Sequence, residues 1–316
     1  MVEQLTDKRV LITGGAGFIG SNLANHLADD NDVVAVDDES LGTSANLREE
    51  VTYHETSVLD PELPTDVDVL FHFAARSSYP MHEADPQTGA RVNVEGFVNA
   101  VEQARKDGCE TVVYASTSSI YGDCTEPTSE ETDVTARTGY EASKLARERY
   151  AEYFNTHYGM SMAGMRFFSV YQGYKGAEEH KDQYANIISQ FAEKIADGQS
   201  PKIYGDGTQT RDFVHVDDVV RGVELAATHE LNGIYNLGTG DPHSFNTVVE
   251  TLCDTLGSDV PPEYVDNPLP EAVYVHDTCA DWSRLQRETG WEPEIGFEEG
   301  IERVCEPYRQ SLAEEQ

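Results

Sequence analysis

The chain has 316 residues, 39% of them hydrophobic, and 58 acids against 22 bases give a formal charge of −36. That acidity excludes nucleic acid as a general partner, because a polyanion would be repelled over most of the surface. No apolar run approaches the ~20 residues of a membrane span, and the opening MVEQLTDK has no secretory pattern, so a cytoplasmic location without membrane contact is expected.

The acids are spread along the chain, as Glu49-Glu50, Glu130-Glu131, Glu178-Glu179, Glu298-Glu299 and Glu314-Glu315, and so form a coat and not a tail. Such a composition resembles proteins of salt-accumulating halophiles, since at molar salt the Debye length is ~3 Å and self-repulsion nearly vanishes. The five cysteines are scattered without C-x-x-C spacing, and the histidines show no metal-ligand spacing, so reduced thiols and no metal are expected. A chain of this length holds one α/β core and a smaller appended lobe.

In chain order, Val10-Leu11-Ile12 runs into Gly14-Gly15-Ala16-Gly17-Phe18-Ile19-Gly20 and then into a helical pattern. Strand, tight glycine turn and helix make a dinucleotide cradle, in which the turn approaches a pyrophosphate and the helix N-terminus offers N–H groups to it. The run Val33-Val34-Ala35-Val36 ends at Asp37, about twenty residues on, where an acid meets ribose hydroxyls. Asp37, with Asp38 beside it, would repel a 2′-phosphate, so NAD is expected over NADP. Val51–His54 and Val67–Phe73 read as further strands, Val92–Ala104 as a helix and Thr111–Ala115 as a buried strand. This alternation predicts a doubly wound parallel sheet.

Ser116-Thr117-Ser118-Ser119 follows that strand's carboxyl end, where open α/β sheets bind ligands. The predicted helix Thr138–Phe154 carries Tyr140 and Lys144 on one face at i and i+4. A tyrosine beside a lysine and a cationic nicotinamide is a usable base, and a hydroxyl such as Thr117 can share its hydrogen bond.

GGAGFIG, Asp37, HFAA, Val92-Asn93-Val94-Glu95-Gly96, STSSIYG, YEASK, Arg166-Phe167-Phe168, GDGTQTRDFVHVDD, YNLGTG and ADWSRLQRETGW together resemble the extended short-chain dehydrogenase/reductase family, and within it the NAD-dependent sugar-nucleotide epimerases and dehydratases. The resemblance implies a Rossmann domain over about 1–165 and a substrate-binding lobe over about 166–316, with 205–240 returning to the first. It makes Thr117 the catalytic hydroxyl, Tyr140 the base and Lys144 the residue that lowers the tyrosine's pKa and holds the nicotinamide ribose. Gly14, Gly17, Phe18, Ile19, Gly20, Asp37, Ser57, Val58, Ala74 and Asn93 would complete the NAD site. Ser169, Asn186, Tyr204 and Arg211 would meet the nucleotide sugar, Arg211 at its diphosphate unless it pairs with Asp212 or Asp217.

Three departures from the family pattern concern the ligands. Ser169 stands where Asn is usual, Thr56-Ser57-Val58 lacks the acid near adenine, and Pro270-Glu271-Ala272-Val273 lacks a late arginine. Dehydratases carry an Asp-Glu pair after the catalytic threonine, and decarboxylases keep an acid at the second of those positions, whereas this chain has Ser118-Ser119. The expectation is therefore C4 epimerisation, with UDP-glucose and UDP-galactose as the pair; a dehydratase, decarboxylase or dehydrogenase stays open, as does a non-catalytic NAD sensor. Resemblance to dimeric relatives implies a homodimer through Val94, Val98 and Val101 of one helix and Ala142, Ala146 and Tyr150 of the other, unless these faces cover the sheet instead.

Overall fold

The computed structural model describes residues 4–314. Its strands are Arg9–Thr13 (β1), Asp32–Asp37 (β2), Thr52–Glu55 (β3), Val69–His72 (β4), Thr111–Ala115 (β5), Ser161–Phe167 (β6), Ser169–Tyr171 (β7), Lys202–Tyr204 (β8), Thr210–His215 (β9), Gly233–Leu237 (β10), Pro242–Ser244 (β11) and Glu263–Val265 (β12). Its helices are Phe18–Leu27 (α1), Tyr79–Ala84 (α2), Pro86–Ala90 (α3), Gly96–Lys106 (α4), Gly139–Tyr158 (α5), Ile187–Ala196 (α6), Val216–Thr228 (α7), Phe245–Leu256 (α8), Ser283–Thr289 (α9) and Phe297–Glu314 (α10).

Strands apolar at every position must be covered on both faces. β4 and β5 are buried at every residue, and β1 and β2 at every residue but the first. They lie inside a seven-stranded sheet of order β10-β6-β5-β4-β1-β2-β3 with every neighbouring pair parallel. Alternate residues serve opposite layers: Val10, Ile12 and Phe71 pack with Leu23, Leu27, Val219 and Val223 of α1 and α7. Leu11, Leu70 and Tyr114 pack with Phe97, Val101 and Phe154 of α4 and α5. This is a doubly wound, Rossmann-like α/β fold.

Val101, expected on a partner-facing surface, is instead fully buried against the sheet. The spacing gave the helix correctly, but its apolar stripe was needed for the chain's own core.

A third apolar cluster gathers Tyr171, Phe191, Ile203, Phe213, Val248, Phe297, Ile301 and Tyr308, mainly from α6, α8 and α10. It lies wholly within the second half of the sequence. β10 and α7 belong to the central sheet and its cover, and so do Leu285 of α9 and Trp291, a return that lies beyond 205–240. Asp212 of β9 is the clasp between these parts. Its buried carboxylate accepts from Thr239 N (2.7 Å), Thr239 Oγ1 (2.8 Å), Gly240 N (2.8 Å) and Ala280 N (2.8 Å).

Candidate active site

The strand order reverses between β1 and β4, so the connections leaving their carboxyl ends diverge and open a crevice. A cleft of about 550 Å³ lies there, reaching from Asp37 past the glycine turn to Thr117, Tyr140 and Arg211.

The glycine turn is fixed by close approach. Gly14 has φ +70°, and a Cβ on it would lie 2.6 Å from Ala74 N, while one on Gly20 would lie 2.1 Å from Gly14 O. α1 then begins at Gly17 without a side-chain cap and without an acid in its first turn. Its first N–H groups and positive dipole end are thus left for an anion from the cleft. Gly14, Gly17, Phe18, Ile19, Gly20, Val58 and Ala74 all line the cleft. Asp37 closes this end, accepting from Ala16 N (3.2 Å) and Glu39 N (2.9 Å). Burial pushes its carboxyl upward, against the hydrogen bond from Glu39. A pyrophosphate-sized cradle with a ribose-facing acid fits a dinucleotide.

At the other end α5 is started by Thr138, whose hydroxyl accepts from Glu141 N at 3.2 Å. This start brings Tyr140 into the cleft beside the hydroxyl strip that follows β5, Thr117 included. Thr117 also caps the short 3₁₀ turn Ser118–Tyr121, accepting from Ser119 N at 3.3 Å, with Ser119 Oγ 3.0 Å away. Lys144, 2% exposed, donates to Ala115 O at 3.0 Å.

Burial raises the Tyr140 pKa, and the groups that oppose it are the Thr117 hydroxyl and then the Arg147 guanidinium. Burial, reinforced by Arg147, holds Lys144 well below the usual lysine range. Lys144 Nζ lies 5.8 Å from the Tyr140 ring centroid, and Arg147 is a second buried cation beneath it. It is fully buried and donates to Asn93 O (2.6 Å), Ala74 O (2.7 Å) and Ala115 O (3.4 Å), and burial brings its pKa down to about 10. Beneath Ser116, whose hydroxyl donates to Glu148 at 2.6 Å, Glu148 is also paired with Arg166 at 2.8 Å.

Asn93, expected along the cofactor, lies below the cleft. Its amide accepts from Arg76 N (2.8 Å) and reaches Arg76 O, His82 Nε2 and Ser143 Oγ, tying the segment after β4 to α5. Ser57 is also outside the lining, its hydroxyl accepting from Leu59 N while Thr56 and Val58 face the cleft. Asn186 caps α6 and donates to Val170 O at 3.0 Å, and Tyr204 is exposed on β8; neither lines the cleft. Ser169 and Arg211 do. Arg211 pairs with neither Asp212 nor Asp217: it donates to Thr210 O (2.7 Å), Val275 O (2.6 Å) and His276 O (2.9 Å). Three carbonyls fix its position but leave its charge uncompensated by any carboxylate contact. Among the described residues no group of three or more His, Cys, Asp or Glu could hold a metal ion.

Residues 10–238 match the NAD dependent epimerase/dehydratase family. The chain belongs to that family. A UDP-glucose 4-epimerase of Mycolicibacterium smegmatis is 33% identical over 315 residues, covering 95% of this chain and 98% of the relative. Among solved structures, the UDP-N-acetylglucosamine 4-epimerase of Methanobrevibacter ruminantium M1 in complex with UDP-N-acetylmuramic acid superposes with a TM-score of 0.89 at 29% identity, covering 97% of this chain and 100% of that one. The UDP-glucose 4-epimerase of Thermotoga maritima with UDP-glucose gives 0.86 at 30% identity, covering 96% and 99%. This member of the epimerase/dehydratase family is therefore an enzyme whose cofactor is NAD, and the glycine cradle with Asp37 holds the groups suited to it.

Proposed function

We propose that the enzyme epimerises a nucleotide sugar at C4, with UDP-glucose and UDP-galactose as the pair. The observation that carries this reading is the meeting of Thr117, Tyr140 and Lys144 in one cleft beside Ser118 and Ser119, where a dehydratase would need acids. Glu141, the carboxylate that follows Tyr140 and also lines the cleft, is held by Arg137 through its N–H at 2.6 Å and its guanidinium at 3.0 Å. It is not left to protonate a leaving hydroxyl.

When bound, NAD supplies the hydride acceptor and a positive ring that favours the phenolate. Tyr140 takes the C4 hydroxyl proton as the C4 hydride departs, and Thr117 shares the hydrogen bond to that oxygen. Bound NAD would return the hydride to the other face of the turned 4-keto sugar, and Tyr140 would give the proton back to its oxygen, so nothing would be consumed. Arg147 keeps positive charge below the phenol throughout. Arg211 and Ser169 face the substrate from the second half of the chain, with Arg211 placed for a diphosphate. Dehydratases and decarboxylases also occur among the relatives, and they define the competing outcome.

The test is to incubate purified enzyme with UDP-galactose and couple the mixture to a UDP-glucose assay. Formation of UDP-glucose is expected. Release of a 4-keto-6-deoxy product moves the assignment to a dehydratase. The same reading includes a homodimer formed through the outer face of α5, where Ala142 and Tyr150 are exposed, and a monomeric mass by light scattering in molar salt would refute it.

A further inference from the structure

Lys181 is a mostly buried cation of the cleft for which the chemistry above has no use. Its side chain is 20% exposed and lines the cleft, with Nζ 5.0 Å above the ring centroid of Phe18. Phe18 is the first residue of α1, whose N-terminus carries no side-chain cap, and Gly17, Phe18 and Lys181 line the same cleft.

A cation withdrawn from water needs close compensation. The carboxylate nearest to Lys181 in its own loop is Glu178, 3.7 Å away, beyond hydrogen-bond distance. Glu178 pairs with Lys181 only loosely, through Oε1, which also accepts from Asn186 N (2.9 Å), while its Oε2 accepts from Gln172 N (2.8 Å), Gly173 N (3.1 Å) and Ser189 Oγ (2.6 Å). Its structural work is to fold the loop, and the lysine is left facing the cleft. Burial accordingly lowers the Lys181 pKa, with Glu178 only opposing it. The next residue, Asp182, has φ +45°, a left-handed backbone costly for a non-glycine. Tyr174 holds that position by donating to Asp182 O at 2.7 Å. The loop is thus built to keep Lys181 where it is.

We propose that Lys181 binds a pyrophosphate of a ligand in the cleft, converging on it with the N–H groups that open α1. The ligand class is a nucleoside diphosphate ester, and its source is either the dinucleotide or the nucleotide sugar, since both carry that group. The choice of sources rests on the function proposed above. The lysine supplies a positive charge in a chain whose surface otherwise repels polyanions.

The test is calorimetric titration of the full chain, freed of bound nucleotide, in the salt that keeps it folded. Separate arms use NAD, UDP and inorganic pyrophosphate, the last blind to the base. Lys181→Met is expected to weaken binding about 10- to 100-fold in at least one nucleotide arm, the loss typical of a charge-assisted contact. Lys181→Arg should recover most of it. Loss for NAD identifies the cofactor as the source, and loss for UDP identifies the substrate. Unchanged affinities in Lys181→Met and Lys181→Gln overturn the proposal, as does a loss that Lys181→Arg fails to recover. Circular dichroism melts of each variant check folding. A parent protein that binds NAD and pyrophosphate but converts no UDP-sugar removes the epimerase reading and leaves Lys181 still measurable.

Discussion

Tyr140 is the residue on which the chemistry turns, and its surroundings set the size of the effect. Tyr140→Phe removes one oxygen while the ring keeps its edge contact with His82, centroids 5.7 Å apart. Fold and NAD binding should persist, with kcat falling about 10² to 10⁴-fold. Thr117→Ala should lose less, because that hydroxyl positions a proton it does not itself accept; a larger loss for Thr117→Ala would reassign the base. Steady-state kinetics on both variants checks the order. Arg147→Met should move the rise of kcat with pH to higher pH than Arg147→Lys does, since Tyr140 works as phenolate, burial already raises the phenol and the guanidinium opposes it. A pH–rate profile identical to the parent would show that Arg147 acts on packing alone. Tyr140, Lys144 and Asp37 were legible because each stands at fixed spacing within one local element. Arg147 obeys the same geometry, at i+7 from Tyr140 and i+3 from Lys144, but an arginine on a long helix with several charges reads as a surface residue until its burial is seen. Asn93 shows the converse. Its place near the cofactor followed from motif position, whereas its side-chain direction depended on His82 and Ser143 from other elements.

At the scale of elements, the cleft exists because β1 and β4 send their connections opposite ways while β9 and the segments at 239–240 and 278–280 close over it. Asp212 holds that closure with hydrogen bonds to three residues, none of them in β9. Asp212→Ala leaves those buried donors unmatched. The expected cost is on the order of 3 kcal/mol, because hydrogen bonds to a charged group are worth ~1.5–3 kcal/mol each and are not additive. A thermal melt should fall by roughly 6 °C or more, at about 2 °C per kcal/mol for a chain of this size. A shift within error would mean that the 239–240 turn finds water instead. The parallel sheet was legible because apolar runs without alternation have one stable home. The second half was less so. Its core uses short strands such as Ile203 in β8 and single contacts such as Tyr171 with Phe213, which leave no periodic trace.

For the whole molecule the governing number is the charge of −36. Many acids are paired in ion pairs that are largely exposed, such as Arg48 with Asp29 and Arg303 with Glu299, and these add little in dilute solvent. In 0.01 M salt the Debye length is ~30 Å, comparable with the molecule, and repulsion sums over the surface. With net stabilities of ~5–15 kcal/mol, that sum is decisive. Molar KCl should raise the melting temperature and restore activity, and a NaCl series beside it separates screening from specific cation binding. A flat or falling melting temperature would remove the halophilic reading.

The register of the sheet also bears on how the chain is made. β6 ends at Phe167 and pairs with β5 along one side, but its other neighbour, β10, begins only at Gly233. A ribosome adding ~5–20 residues per second leaves that side of β6 bare for roughly 3 to 13 s. Throughout that interval a strand carrying Met162, Met165 and Phe167, all destined for burial, offers unpaired N–H and C=O groups to whatever strand comes near. The nascent protein therefore passes through a stage in which an apolar strand edge is open, and the charge of −36 that sets the whole molecule's repulsion also acts to keep neighbouring nascent chains apart.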